Sequence, residues 1–411
     1  MSWKKTPLTD LMNLKLPLIQ APMAGGSSSV ELVSVASNAG CLGSLAAGLM
    51  SSQQLAESIK AIKAKTSNPF SVNVFLTTPA PRIPSTTPNP TDAEWTNLKS
   101  KYVTKLDSYR KQLGMPPSPA AGAGEAPRVG AVVLDEMLDI LVKERVKVVT
   151  YTFGVLEAAQ AHRLRKHGGC LAVFGTATCA EEARILIEEG ACDGVVAQGL
   201  EAGGHRGTFL ESIPTAATLV GLQSLLTTIR ALFDGTVGRP PLRTHSGKRP
   251  LLIAAGGIAD GRGVLAALAL GADAAALGSV FIPTVESGAS KFHKDALANP
   301  TQGALSSTML STTFTGRMAR GLANDFAKDM QEFERVPTHL LGMDVRNRDA
   351  QLNTRVIFAE AAKLQRQDIA PLWAGQSAST LAGKGGRKAV DIINEITAEV
   401  DELVSRFASK L

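Results

Sequence analysis

The sequence predicts an α/β fold, a closed (β/α)8 TIM barrel with an additional, mostly helical cap domain. Three observations carry that expectation. Eight short runs, at residues 16–21, 42–46, 70–75, 146–150, 171–174, 194–198, 251–254 and 274–277, are apolar almost throughout. Near-continuous apolar strands belong to parallel sheets covered on both faces. Segments with apolar residues at helical spacing lie between most of them, at 30–38, 53–65, 156–166, 180–189 and 263–270. Finally, the side chains with chemical capacity follow strand ends, the face on which barrels carry their active sites.

Taken in order, the first strand runs into Gln20-Ala21-Pro22-Met23-Ala24-Gly25-Gly26, the third carries Asn73, and the fourth ends in Thr150-Tyr151-Thr152-Phe153-Gly154. Each of these signals is weak alone, and Met23 and Phe153 suit a loop core as well as a ligand. The sixth strand enters Gln198-Gly199-Leu200-Glu201-Ala202-Gly203-Gly204-His205-Arg206-Gly207. Its glycines permit positive φ and close approach to a bound molecule. His205 exchanges protons near neutral pH, so the segment reads as an active-site loop with His205 as the catalytic residue; a histidine that only orders its loop is the competing reading.

The seventh strand ends in Ala254-Ala255-Gly256-Gly257-Ile258 and passes through Asp260-Gly261-Arg262-Gly263 into a helix, while the eighth ends in Leu277-Gly278-Ser279. Backbone N–H groups at such turns bind phosphate, and the loops after strands seven and eight are the usual phosphate site of barrels. Tight turns can also require glycine for geometry alone. A phosphate-bearing cofactor is the expectation.

Two regions break the rhythm and set the domain organisation: a barrel from 1–76 and 129–283, a Pro/Ala-rich insertion at 77–128 with a helical stretch over 92–113, and a helical cap and C-terminal region at 284–411. Segments 79–90 and 116–127 contain almost no core-forming residues. A shorter loop at 235–249 holds His245 and reads as an exposed insertion.

Of 411 residues, 44% are apolar and 19% charged, which excludes a disordered chain, and the net charge of +6 is spread without a basic run. No nucleic-acid interface is expected, and small anions are favoured. Cys41, Cys170, Cys179 and Cys192 are far apart without metal-ligand spacing, so free buried thiols and no metal are expected. No stretch approaches a membrane span, and no apolar block of a signal peptide follows Lys4-Lys5. Ser409-Lys410-Leu411 matches the address read by the peroxisomal import receptor. Peroxisomal residence is therefore expected, with the cytoplasm as the alternative. His162, His167, His245, His293 and His339 sit in polar or charged surroundings and read as solvated surface.

The segments Gln20-Ala21-Pro22-Met23-Ala24-Gly25, Gly43-Ser44-Leu45-Ala46-Ala47-Gly48, Ala197-Gln198-Gly199-Leu200-Glu201-Ala202-Gly203-Gly204-His205 and Ala254-Ala255-Gly256-Gly257-Ile258-Ala259-Asp260-Gly261 resemble, in this order, the nitronate monooxygenase family, formerly the 2-nitropropane dioxygenases. Thr313-Phe314-Thr315-Gly316-Arg317-Met318-Ala319-Arg320-Gly321 and Pro371-Leu372-Trp373-Ala374-Gly375-Gln376 look like its C-terminal elements. The resemblance covers most of the chain and is to the class I-like, fungal-type members.

It implies an FMN-dependent barrel that oxidises alkyl nitronates with O2 to a carbonyl compound and nitrite, through one-electron transfer and a flavin semiquinone. Ala21, Pro22 and Met23 would lie under or beside the isoalloxazine, Asn73 and Gln198 on its polar edge, and Gly203, Gly204, Gly256, Gly257, Gly278 and Ser279 around the phosphate. His205 would act either protonated, holding negative charge, or neutral, as a base toward a nitroalkane; for nitronates the first is favoured. Where some relatives carry a second histidine this chain has Thr152, so substrate binding there would use a hydroxyl. Propionate 3-nitronate is the substrate the resemblance implies, with Arg317 and Arg320 as candidate carboxylate partners; both also read as structural ion-pair or helix-end residues. An NAD(P)H-dependent flavin reductase of the quinone or enoyl type and a non-catalytic flavin- or phosphate-binding barrel remain competing readings.

Overall fold

A computed structural model describes residues 2–76, 92–119, 134–210, 215–236, 238–299, 307–334 and 354–409. Most of the low-complexity segments of the insertion, together with His339, Lys410 and Leu411, lie outside the described residues. The chain opens with α1 (Pro7–Met12) and runs through β1 (Leu18–Gln20), α2 (Val30–Asn38), β2 (Leu42–Ala46), α3 (Ser52–Lys65), β3 (Phe70–Phe75), α4 (Asp92–Gln112), α5 (Leu134–Lys143), β4 (Val148–Thr152), α6 (Ala158–Gly168), β5 (Ala172–Ala177), α7 (Ala180–Glu188) and β6 (Gly194–Gln198). There follow β7 (Gly204–His205), α8 (Leu222–Asp234), β8 (Leu251–Ala255), α9 (Gly261–Ala269), β9 (Ala274–Leu277), α10 (Lys291–Ala298), β10 (Thr308–Ser311), β11 (Ala319–Leu322), α11 (Asp325–Asp329), α12 (Arg355–Lys363) and α13 (Ala389–Ala408).

The eight apolar runs form a closed parallel barrel in the order β1-β2-β3-β4-β5-β6-β8-β9. β9 returns to β1 with Ile19 opposite Ala276, and β6 pairs with β8 with Val196 opposite Ile253. Local sequence starts the surrounding helices: the Ser29 side chain accepts from the Leu32 amide at the head of α2, and Ser51 with Gln54 forms a capping box on α3. At the N-terminal end, Leu8 and Met12 of α1 join Ile19, Leu42, Phe174 and Ile253 in one apolar cluster that plugs the barrel. Toward the other end the interior turns polar, with Gln20, Ser44, Ser71, Asn73, Thr150 and Thr176 all buried. Gln20 Oε1 accepts from the Ser44 amide, and the Ser44 and Ser71 hydroxyls bond to each other.

Three features correct the sequence-based organisation. The last helix, α13, packs against α9 and α2 and so completes the ring of barrel helices rather than belonging to the cap. The cap, expected to be mostly helical, also carries a small sheet, because β10 and β11 pair antiparallel and β11 continues onto β7, with Ala319 opposite His205. Thr308-Met309-Leu310-Ser311 and Ala319-Arg320-Gly321-Leu322 lack a long apolar run; their strand state comes from pairing with each other and with a distant loop. Lastly, the insertion helix shares the cap's core: Tyr102, Leu106 and Tyr109 of α4 pack with Phe314, Phe326, Phe333 and Ile357. All four cysteines are buried and unbridged, and burial pushes the Cys41 thiol up to about 12.

Candidate active site

The C-terminal ends of the barrel strands open into a cavity of about 1570 Å³, roofed by the cap. Ala21, Pro22, Met23, Asn73, Thr152, Gln198, Gly203, Gly204, His205, Gly256, Gly257, Gly278, Ser279 and Arg317 all line it. Arg320 does not. Its side chain is buried in β11, where Nε donates to the Leu200 carbonyl at 3.1 Å and Nη1 to the Thr308 hydroxyl at 3.2 Å. Three residues along the chain from Arg317, it braces the loop instead of facing the cavity, which corrects its assignment as a substrate partner.

The histidine loop is held from beneath and behind. Fully buried Arg206 donates to the carbonyls of Gln198 at 3.0 Å, Gly199 at 2.6 Å and Thr218 at 2.9 Å. Gln198 spans the loop, its Nε2 donating to the His205 carbonyl at 2.9 Å and its Oε1 accepting from the Gly207 amide at 2.8 Å. Gly204, at φ +76°, takes the left-handed turn that exposes this strand to the cavity, and a Cβ there would point into open space. Gly203 serves packing, since a Cβ would meet the Ala374 carbonyl carbon at 2.5 Å.

His205 is surrounded by aromatic and cationic groups. Its Nε2 lies 2.8 Å from the Thr315 hydroxyl. That hydroxyl has the Arg317 carbonyl at 3.2 Å as an acceptor for its own proton; with the proton there, the imidazole donates from Nε2 and keeps Nδ1 as its basic atom. The indole of Trp373 lies 5.1 Å from the imidazole, and the Phe153 ring 6.3 Å away meets it edge-on. Phe153 holds φ at +74°, rare for a bulky residue, and carries the Arg317 guanidinium over its ring at 4.2 Å. Burial first, and the Arg317 charge second, push the His205 pKa down to about 4. The imidazole is therefore neutral at pH 7. The fixed positive charge beside it belongs to Arg317.

The turns after β8 and β9 also present Gly256, Gly257, Gly278 and Ser279 to the cavity, and the first of them packs against the histidine loop, where a Cβ on Gly256 would meet the Ala202 amide nitrogen at 3.0 Å. A Cβ on Gly278 would meet nothing nearer than Ala21 at 3.8 Å and Met23 Sδ at 3.9 Å. The start of α9 does not line the cavity. Its Gly261 amide donates to Glu399 at 2.6 Å and its Gly263 amide to Asp260 at 2.9 Å, and a Cβ on Gly261 would strike Glu399 Cβ at 2.5 Å. Gly261 thus seats α13, and among these glycines those that face the cavity are in the two turns. A strap from the cap, residues 371–377, crosses over them: the Gly375 amide donates to Ser279 Oγ at 2.9 Å and Ser377 Oγ to the Gly257 carbonyl at 2.5 Å.

A deep cavity lined by small residues and backbone turns together with a histidine, a guanidinium and aromatic rings fits a phosphate-bearing ring cofactor plus a small anion. Several lining residues carried no assignment in the sequence. Trp373 lay in a segment matched to the family without a role, and a tryptophan between Pro371 and Gly375 was the available signal. Thr315 likewise lay in a matched segment without a role, and Arg355 gave no signal. His293, expected at the surface, lines the cavity, and burial pushes its pKa down to about 4.

Residues 5–399 match the family model described as nitronate monooxygenase. The chain belongs to the nitronate monooxygenase family. It is 32% identical over 380 residues to a probable nitronate monooxygenase of Staphylococcus aureus (strain JH9), covering 91% of this chain and 92% of that one. Among solved structures it is similar to the nitroalkane oxidase from Streptomyces ansochromogenes, at 33% identity and a TM-score of 0.77 over 97% of this chain and 99% of that one. FabK from Thermotoga maritima shares the fold at 23% identity and a TM-score of 0.67, over 99% of each chain. Family membership makes this chain a flavin-dependent oxidoreductase. Among the described residues no helix is long and apolar enough to cross a membrane, and no group of three or more His, Cys, Asp or Glu could hold a metal ion.

Proposed function

We propose that this monooxygenase binds FMN and oxidises alkyl nitronates with O2 to a carbonyl compound and nitrite, propionate 3-nitronate being a compact example, and that it also accepts neutral nitroalkanes. The observation that carries this reading is the placement, in one cavity, of the His205 imidazole, anchored through Nε2 on Thr315, beside the Arg317 guanidinium held over Phe153. Bound flavin supplies the electron-accepting chemistry and the route to O2. Gly256, Gly257, Gly278 and Ser279 would hold its phosphate, Ala21, Pro22 and Met23 its ring, and Asn73 its polar edge.

The protein's own residues do the rest. Arg317, steadied on Phe153, attracts the nitronate oxygens and holds them by charge-assisted hydrogen bonds. His205 Nδ1, unprotonated at neutral pH, takes the α-proton when the substrate arrives as a nitroalkane, and Nε2 stays anchored on Thr315. Thr152 adds a hydroxyl at the end of β4. The roofed cavity limits water around the reacting carbon. The name of the Streptomyces relative, a nitroalkane oxidase, supports the neutral substrate as well.

An anaerobic visible spectrum of the purified protein tests this. Nitronate should change the flavin spectrum, while NADH and NADPH leave it oxidised. Rapid bleaching by a pyridine nucleotide, with no response to nitronate, would make the protein a reductase on the same barrel.

A further inference from the structure

The cavity contains a second histidine, and we propose that His293 is a positioning residue that holds Trp373 against His205. His293 stands on α10 and its Nε2–H donates to the Trp373 main-chain carbonyl at 3.1 Å. A carbonyl can only accept, so the proton is fixed on Nε2. The neighbours of Trp373 are spent on β11: the Leu372 carbonyl accepts from the Leu322 amide at 2.8 Å and the Ala374 amide donates to the Arg320 carbonyl at 3.4 Å. In an extended segment successive carbonyls point to opposite sides, so the carbonyl of Trp373 turns from the sheet toward α10. α10 is itself tied on two sides, Lys294 Nζ donating to the Thr284 carbonyl at 2.8 Å and Gln367 Nε2 to the Phe292 carbonyl at 2.9 Å.

The consequence reaches His205. The hydrogen bond from Nε2 to Thr315 restrains one edge of the imidazole, but Nε2 lies close to the Cβ–Cγ axis, so the ring can still rotate about that axis with little displacement of Nε2. The Trp373 indole, 5.1 Å away and tilted by 53°, removes this freedom together with Phe153. The aim of Nδ1 therefore depends on where Trp373 sits, and Trp373 depends on His293. Misplacing a reacting group by about 1 Å can cost on the order of 100-fold in rate.

This inference rests on the reading of His205 as a base toward nitroalkanes, and the test separates the two. In flavin-loaded protein, His293→Phe removes the donor but keeps the bulk, whereas His293→Gln restores an N–H; melting temperatures of both check folding. His293→Phe should lower kcat for nitroethane about 10- to 100-fold, with KM and the oxidation of preformed ethyl nitronate changed less than about threefold, and His293→Gln should recover most of the loss. Because the effect passes through Trp373, His293→Phe combined with Trp373→Ala should be no worse than Trp373→Ala alone. Independently of turnover, the NMR ring-proton signals of His205, assigned by their loss in His205→Gln, should move in His293→Phe as they do in Trp373→Ala and return in His293→Gln. Unmoved signals in His293→Phe, no recovery with Gln, or multiplicative losses in the double variant would overturn the proposal. A wild-type protein inactive on both substrates would instead sink the functional reading, and the NMR shifts would still decide the link from His293.

Discussion

The guanidinium of Arg317 lies over the ring of Phe153 at 4.2 Å, and Phe153 reaches that place only by adopting φ +74°. A strained backbone thus fixes a cation at the side of His205. Removing that charge should raise the His205 pKa from about 4 part of the way toward its ordinary value, since burial remains the larger cause. In Arg317→Gln the acid limb of the pH–rate profile for nitroalkanes should move to higher pH by up to about one unit, and KM for nitronates should rise about tenfold. An unmoved acid limb would show that Arg317 does not act on the imidazole.

Exchange of His205 for Gln keeps a polar side chain of similar reach but removes the base. Nitroalkane turnover should fall about 10²- to 10⁴-fold, with preformed nitronates less affected. Flavin content, read from the visible spectrum, should stay that of the wild type. Full nitroalkane activity in this variant would reject the assignment of the base.

The glycines separate into two classes that two substitutions can distinguish. Gly278→Val places a side chain where a Cβ would meet only Ala21 and Met23, both at ordinary van der Waals contact, so cofactor affinity should drop at least about tenfold with little change in melting temperature. Gly261→Ala drives a Cβ against Glu399 and Val400 of α13, so the melting temperature should fall by several degrees while the folded fraction binds flavin normally. The reverse pattern would relocate the cradle to the start of α9.

Stability should also depend on pH through the two cavity histidines. Both have folded-state pKa values of about 4, below the ordinary 6.5, so the unfolded chain binds more protons in between. Their contribution is complete above about pH 6.5 and is lost as the pH falls toward 4, by roughly 3 kcal/mol per histidine. Chemical denaturation of the apoprotein at pH 7 and pH 4.5 should show a decrease that is smaller in His205→Gln and His293→Gln. A pH-independent difference between wild type and variants would mean that neither imidazole is held neutral.

Much of the barrel was legible because its signal is local. β2, β3, β6 and β9 begin and end where the apolar runs at 42–46, 70–75, 194–198 and 274–277 do, and β4 is displaced by two residues from the run at 146–150. A doubly covered strand must be apolar on both faces, and the glycine turns must follow at strand ends, so one chain pattern encodes both. The histidine loop was legible for the same reason. α13 was read as part of the cap because a helical period does not say which helices it packs between; only its packing against α9 and α2 decides that.

The sequence by itself determined the barrel, the glycine turns, the histidine loop and the family, since each is written in neighbouring residues. Tertiary structure alone decided what those parts do to one another. It separated Arg317 from Arg320, brought His293 from an apparent surface into the cavity, and paired β11 with a loop more than a hundred residues away. It also set the charge state of His205, because burial and a distant guanidinium, rather than any neighbour in the chain, fix the free energy of its proton.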